Sequence, residues 1–358
     1  AALGGITVVQ TTDNPASVAR LDALARGEGF DVHVRGLADG VPVDEWRRCR
    51  SVRAGLRTAT QWRAVRQEMS DGNVRVVVSN TGDTGWQLDA SDSPALLARE
   101  ARAPGAFPAK LLVLLHDFWQ ARPFDKLTLL PCELVTRNGD RLRDLVMGLA
   151  RAWDLPDAFL GWMQWHLAWG NSLVDRIVSE ALQPVGAVAE PYALWALERR
   201  DDLVLPCRHP AISLTADLAR CERLKSWLLN LAHSVLAELW MRAGRPHGLT
   251  VLQAMHAPAS RATLEGIWAD EVLPTFDALD EGDAARAYAS ATRERLLNPW
   301  LAHPLADIAV NHAQKLARRF APVVACARER APTLAQPWLR AALALHAPTQ
   351  ASPHPGAG

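Results

Sequence analysis

Residues 220–236 read Arg-Cys-Glu-Arg-Leu-Lys-Ser-Trp-Leu-Leu-Asn-Leu-Ala-His-Ser-Val-Leu. The stretch holds no Gly or Pro, so it can form one continuous helix. At ~100° per residue, with Lys225 at zero, Glu222 falls near ~60°, His233 near ~80° and Asn230 near ~140°. Four polar groups therefore share one sector. Leu224, Trp227, Leu228, Leu231 and Val235 occupy the opposite side, and Leu229 and Leu236 make the polar sector mostly dry. A helix apolar nearly all round is normally buried, which places this one in a helical core. A buried Lys beside an Asn and a His needs partners or a chemical role. A core helix with a satisfied polar stripe accounts for the same pattern. Lysine usage favours a chemical role, since only Lys110, Lys126, Lys225 and Lys315 are Lys among 39 basic residues. Burial can shift the pKa of an amine, whereas a guanidinium stays charged.

Upstream the patterning changes character. Ile6-Thr7-Val8-Val9-Gln10 is a β-rich run that ends in a polar turn, and Asp31–Arg35 alternates like a second strand. Residues 50–52 suggest a third strand, and residues 57–69 a helix. Val74–Asn80 is the strongest strand pattern, and its near-continuous β-branched run predicts cover on both faces. Ser79-Asn80-Thr81-Gly82-Asp83-Thr84-Gly85 follows. Open parallel sheets bind ligands just past the carboxyl ends of their strands, so Asn80, Thr81 and Asp83 are candidate cofactor contacts; a plain turn reads the same. Phe107-Pro108 opens an apolar helix through Phe118, and Leu127–Leu134 reads as a buried strand and its exit. A helix with Leu142, Leu145, Val146, Leu149 and Trp153 at three/four spacing comes next. Beyond the polar stretch Glu198–His209 the chain reads as helical, at 220–243, 261–278, 283–297 and 303–329. The domain division predicted is 1–206, 207–346 and a frayed Pro/Ala/Gly-rich tail at 347–358.

These segments carry a resemblance. Lys225-x-x-x-x-Asn230-x-x-His233, with Glu222 ahead of it, resembles the catalytic signature of the long-chain polyol dehydrogenase and hexuronate reductase family, the mannitol dehydrogenase group. Ser79–Gly85 is similar to a tagaturonate reductase motif, with Asp83 where that motif has Glu. Phe107–Leu111, Pro131–Val146, Asn171–Ile177, Glu190–Trp195 and Arg295–Pro299 are similar to further family segments, and the likeness runs from about Gly5 to Leu339. The resemblance implies a fold of two kinds: an N-terminal Rossmann-like doubly wound sheet (α/β) and a mostly helical C-terminal domain of the phosphogluconate-dehydrogenase-like type. It also implies an NAD(P)-dependent oxidoreductase acting on CH–OH groups. In the family a Gly-x-Gly-x-x-x-Arg turn precedes the equivalent of Gly5. Its place here is taken by no visible counterpart, so the expectation is an absent first strand and an unassigned phosphate loop.

The implied chemistry is hydride transfer between a nicotinamide and a secondary alcohol. Lys225 is expected as general base for oxidation and general acid for reduction. Asn230 and Asn171 are expected to donate to the reacting oxygen, His233 to bind a neighbouring substrate oxygen, and Glu222 to gate proton exchange. Arg295, Lys315 and Arg319 are candidates for a substrate carboxylate, and a solvated helix face explains the last two as well. Asp13, after the first observed strand, suits ribose hydroxyls, which mildly favours NAD without excluding NADP. The expected substrate is a ketouronate/aldonate pair of the tagaturonate/altronate kind. The alternatives are a mannitol- or arabinitol-type polyol, or a non-catalytic sugar-acid-binding relative.

Composition bounds the rest. The 358 residues suffice for two domains, and formal net charge is zero without a long basic run, which disfavours nucleic acid. No apolar run reaches membrane-spanning length. Five scattered cysteines without a CxxC pair suit reduced thiols in the cytoplasm, and no His/Cys/carboxylate set has metal-ligand spacing. A monomer or homodimer is expected.

Overall fold

The computed structural model describes residues 4–12, 14–82 and 85–347. Asp13 and Asp83, expected at the cofactor, and the tail from 348 onward lie outside the described residues. The chain forms two compact units: Ala1–Arg35 with Asp44–Leu218, and Gly36–Val43 with Ala219–Gly358. Residues 207–218, read from the sequence as the start of the helical domain, cluster with the first unit.

In the first unit, apart from the hairpin tip Gly36–Val43 that clusters with the second, β1 (Ile6–Gln10), α1 (Pro15–Ala25), β2 (Phe30–Ala38), β3 (Val41–Cys49), β4 (Val52–Arg57) and α2 (Thr58–Asp71) come first. Then follow β5 (Val76–Ser79), α3 (Phe107–Ala121), β6 (Leu127–Pro131), α4 (Asn138–Ala152), α5 (Asp157–His166) and β7 (Leu167–Trp169). The unit ends with β8 (Ser172–Asp175), β9 (Val178–Ala181), β10 (Gly186–Ala189), β11 (Leu194–Glu198) and β12 (Ile212–Thr215). The architecture is Rossmann-like, but its strands fall into four small sheets. Parallel pairing joins β1 to β4 and runs through β5-β6-β7; mixed sheets run β3-β2-β10-β9 and β12-β11-β8. The parallel β11–β12 pairing keeps residues 212–215 with this unit.

Burial follows sheet position. The central strand β6 is buried at all five positions, as its apolar run requires. β5, predicted to be covered on both faces, is an edge strand, and Val78 remains 51% exposed. Helices packed over the middle of a sheet reach less of its edge. The core joins Trp62 and Val65 of α2, Leu112 and Phe118 of α3, Leu129 of β6, Val146 of α4 and Phe159 of α5. Each such side chain contributes about 1.5–3 kcal/mol on leaving water. The Arg66 guanidinium crosses from α2 to α3, where it forks onto Asp117 at 2.6 and 2.7 Å and caps the carbonyls of Leu97 and Ala98.

Strand β3 was not foreseen. Its charged run Asp44-Glu45-Trp46-Arg47-Arg48 hides the β pattern, because five of its nine positions in a row are exposed. The signal was Asp39-Gly40, both at positive φ (53° and 75°), the pair a tight hairpin turn demands.

The second unit is helical: α6 (Leu218–Leu224), a π turn (Lys225–Asn230), α7 (Leu231–Arg242), α8 (Val251–His256) and α9 (Pro258–Ile267). A second π turn (Trp268–Val272) leads to α10 (Leu273–Asp277), α11 (Gly282–Leu296), α12 (Leu305–Ile308), α13 (His312–Arg319), α14 (Ala321–Arg330) and α15 (Pro337–Leu345). The single helix expected over 303–329 is three. Asn311 turns left-handed at φ 55° ahead of α13, and Pro322 sits in the first turn of α14, where no N–H is required. Buried Glu271 accepts from the first amides of α15, Trp338 at 2.8 Å and Leu339 at 2.9 Å, where a helix has donors without partners. Among the described residues no helix is long and apolar enough to cross a membrane.

Candidate active site

The stretch 220–236 is helical throughout, yet its pitch is not uniform. The π turn covers Lys225 to Asn230, both ends being the residues singled out from the sequence. A π turn bonds residue i to i+5, so Lys225 and Asn230 lie one above the other, closer in angle than the ~140° of an α-helical wheel. Such turns cost helix regularity and recur at functional sites. Trp227, Leu228 and Leu229 are buried, whereas Lys225 and Asn230 are partly exposed, so the Lys is not sealed in the core as the wheel suggested. Glu222, one turn before Lys225, is also partly exposed.

His233 is the buried member. Its Nδ1 lies 3.0 Å from the Leu229 carbonyl, which sets Nδ1 as the donor and leaves Nε2 as an acceptor. That Nε2 has no partner among the described residues. Burial, helped by the nearby His303 and Arg319, pushes the His233 pKa down to about 3, so the ring is neutral across the physiological range. His303, which the sequence reading passed over, stacks obliquely on it with ring centres 5.3 Å apart. Burial lowers the His303 pKa as well, with Asp307 opposing and Lys315 assisting.

Cations surround this imidazole pair. Arg319 donates to the Asn230 carbonyl at 3.0 Å and to Ser234 Oγ at 2.8 Å, at the junction between the π turn and α7. Burial lowers its pKa to about 10, which still leaves it charged at neutral pH. Arg295 is buried on α11, near Tyr288 Oη, and its charge also bears on His233. Lys315 Nζ donates to the Ile308 carbonyl at 2.8 Å. The second unit thus brings Asn230, His233, Arg295, Lys315 and Arg319 into one network, with His303 added. Chemically it offers a neutral acceptor nitrogen with the charges of Arg319 and Arg295 nearby, which suits a hydroxylated anion.

In the first unit a cleft of about 500 Å³ opens beyond the carboxyl ends of β1 and β5, lined among others by Thr11, Thr12, Thr81, Asp89, Phe107 and Lys110. Thr81 is held there: its backbone N–H and Oγ1 both donate to Glu133 Oε1, at 3.1 and 3.0 Å, while Ser79 Oγ donates to Oε2 at 3.0 Å. The role of Glu133 escaped the sequence reading because its partners Ser79 and Thr81 lie 54 and 52 positions away. Gly82 is needed for its φ of +79°, and Gly85 because a Cβ would meet Thr81 Oγ1 at 2.1 Å. Lys110 donates to the Gly105 carbonyl at 2.7 Å, and burial lowers its pKa against the pull of Asp92 and Asp89. The amino end of α3 borders the cleft, and the Asp92 carboxylate accepts there from the Gly105 and Ala106 amides at 2.7 and 2.9 Å. Asn80 is exposed past β5 and stands outside the lining.

Asn171 departs from its expected role. It is 1% exposed, and its amide donates to Asp140 Oδ2 at 3.1 Å and Glu198 Oε2 at 2.6 Å while Oδ1 accepts from the Asp140 N–H at 3.1 Å. Both hydrogens expected at a substrate oxygen are engaged with carboxylates, so here it braces α4 against β11.

Comparison with known proteins gives matches along most of the chain. Residues 7–204 match the model of the mannitol dehydrogenase Rossmann domain, and residues 217–345 that of the mannitol dehydrogenase C-terminal domain. An altronate oxidoreductase of Halalkalibacterium halodurans is 29% identical over 344 residues, 89% of this chain and 64% of that protein. One of Klebsiella pneumoniae is 30% identical, over 91% of this chain and 69% of that protein. The chain thus spans about two thirds of the length of these curated relatives. Among solved structures, a substrate-free D-sorbitol dehydrogenase superposes with TM-score 0.74 at 20% identity, over 91% of this chain and 70% of its own. Mannitol 2-dehydrogenase of Pseudomonas fluorescens, in ternary complex with NAD and D-mannitol, superposes with TM-score 0.71 at 18% identity, over 96% of this chain and 79% of its own. At these identities the superpositions speak for the fold.

Proposed function

We propose, given that this chain belongs to the mannitol dehydrogenase family, that it interconverts a ketouronate and an aldonate of the tagaturonate/altronate kind by NAD-dependent hydride transfer. The observation that carries the reading is the charge around His233: Arg319 and Arg295 bear on a neutral imidazole whose Nε2 lacks a partner among the described residues, and Lys315 bears on the adjoining His303. A sugar carboxylate is stabilised by such surroundings, whereas a neutral polyol gains little from them. Relatives named altronate oxidoreductase point the same way.

The cofactor cleft is assigned to the first unit. Its position past the carboxyl ends of parallel strands fits a dinucleotide. Thr81, fixed by Glu133, and Lys110 would hold it. Asn80, Asp13 and Asp83 stay as proposals for further contacts. A bound nicotinamide supplies or accepts the hydride.

Lys225 takes the hydroxyl proton in oxidation and returns one in reduction. Asn230, stacked on it by the π turn, donates to the oxygen as negative charge develops, a contribution on the order of 3–4 kcal/mol to the barrier. His233 Nε2 accepts from the neighbouring hydroxyl, and Glu222 relays protons to water. Arg295 and Lys315 hold the carboxylate. Asn171 keeps its amide on Asp140 and Glu198. The free thiols of all five cysteines suit a cytoplasmic enzyme.

Initial rates with tagaturonate, fructuronate and mannitol test the substrate; a preference for mannitol overturns the carboxylate reading in favour of a polyol dehydrogenase. Calorimetric titration with NADH tests the enzyme assignment. Absence of NADH binding favours the non-catalytic alternative.

A further inference from the structure

Three residues distant in sequence converge in the second unit. Glu238 lies on α7, His312 begins α13, and His346 follows α15. The Nε2 atoms of both imidazoles aim at the same carboxylate oxygen, Glu238 Oε2, from 2.9 Å (His312) and 2.8 Å (His346). All three ligand atoms lie within 4.8 Å of one another. We propose that Glu238, His312 and His346 form a binding site for a transition-metal dication, with Zn²⁺ the ion that best suits the set.

The donor chemistry selects the ion. Two imidazole nitrogens and one carboxylate oxygen match the three-ligand zinc sites that keep a fourth position for water. Mg²⁺ and Ca²⁺ require oxygen shells and are poorly served by imidazole. In the empty site each imidazole donates an Nε2 proton to Glu238 Oε2, and an entering dication would displace those protons to water and take the Nε2 lone pairs.

Orientation is provided too. Arg242 Nε donates to Glu238 Oε1 at 2.7 Å, which fixes the carboxylate plane and leaves Oε2 to the imidazoles. Hydrogen bonds that orient a ligating group in this way raise metal affinity about 10–100-fold. Entry is from the His346 side, where the side chain is 20% exposed against 4% for His312 and 1% for Glu238. A bound ion would tie α15 to α7 and α13. The spacing argument from sequence could not find this set, since its members lie 74 and 108 positions from Glu238.

The test uses the purified chain, stripped with chelator and titrated with ZnCl₂ against a chromophoric zinc indicator. The expected result is one Zn²⁺ per chain, unaffected by millimolar Mg²⁺, with affinity reduced at least about tenfold in His346→Ala and in Glu238→Gln. His256→Ala, at an exposed histidine outside the set, retains the parent affinity. Zn²⁺ raises the melting temperature of the parent and leaves that of His346→Ala unchanged. If Glu238→Gln does not fold, His346→Ala decides, because it alters only the partly exposed end of the last described helix. No stoichiometric zinc, or undiminished zinc binding by folded His346→Ala, overturns the site and leaves the three residues as a hydrogen-bonded clasp.

Discussion

Replacing His233 with Asn should change how stability depends on pH, by an amount the structure sets. In the folded chain burial, with His303 and Arg319, holds this imidazole at a pKa of about 3 against 6.5 for the free side chain. A base with a depressed folded pKa binds fewer protons folded than unfolded between those values. Stability is therefore complete above pH 6.5 and falls as pH drops toward 3. At about 1.36 kcal/mol per unit the full gap corresponds to about 5 kcal/mol. By pH 5 about 1.5 units have been crossed, for a loss of about 2 kcal/mol, while at pH 7 the loss is about 0.2 kcal/mol. Asn keeps a donor for the Leu229 carbonyl and does not titrate. Urea unfolding followed by circular dichroism at pH 5, 6, 7 and 8 should then show the parent losing about 2 kcal/mol more than His233→Asn between pH 7 and 5. Histidines other than His303, which packs against His233, cancel in that difference. Parallel stability–pH curves for the two proteins would refute a neutral, buried His233, and with it the acceptor role assigned to Nε2.

Further outcomes are expected. Lys225→Arg should lose about 10²–10⁴-fold in kcat, because a guanidinium cannot give up its proton; near-parental turnover would remove Lys225 as acid and base. Arg66→Ala strands Asp117 and two carbonyls in the core, and should lower the unfolding free energy by about 3–5 kcal/mol in urea titration. Glu133→Gln retains the shape but exchanges a charged acceptor for an amide at Thr81, so NADH should bind several-fold more weakly by calorimetry with little effect on substrate KM.

The sequence by itself determined what depends on neighbours along the chain. The apolar run 127–131 reads as a buried strand, and the polar-striped stretch 220–236 as a buried helix, because periodicity and side-chain volume act within a few residues. The candidate groups Lys225, Asn230 and His233 were legible for the same reason. Asp39-Gly40 was legible in principle, through the backbone angles those two residues accept, although the charged strand after it masked the hairpin. Only the tertiary structure decided the rest. It put a π turn where a uniform α pitch was assumed, and left Lys225 partly exposed. It bound the Asn171 amide to Asp140 and Glu198, and made His233 neutral by burying it among cations from α11 and α13. It assembled Glu238, His312 and His346 on one carboxylate oxygen. Each of these depends on which side chains meet across long stretches of chain, and burial and charge act through space, where residue spacing carries no record of them.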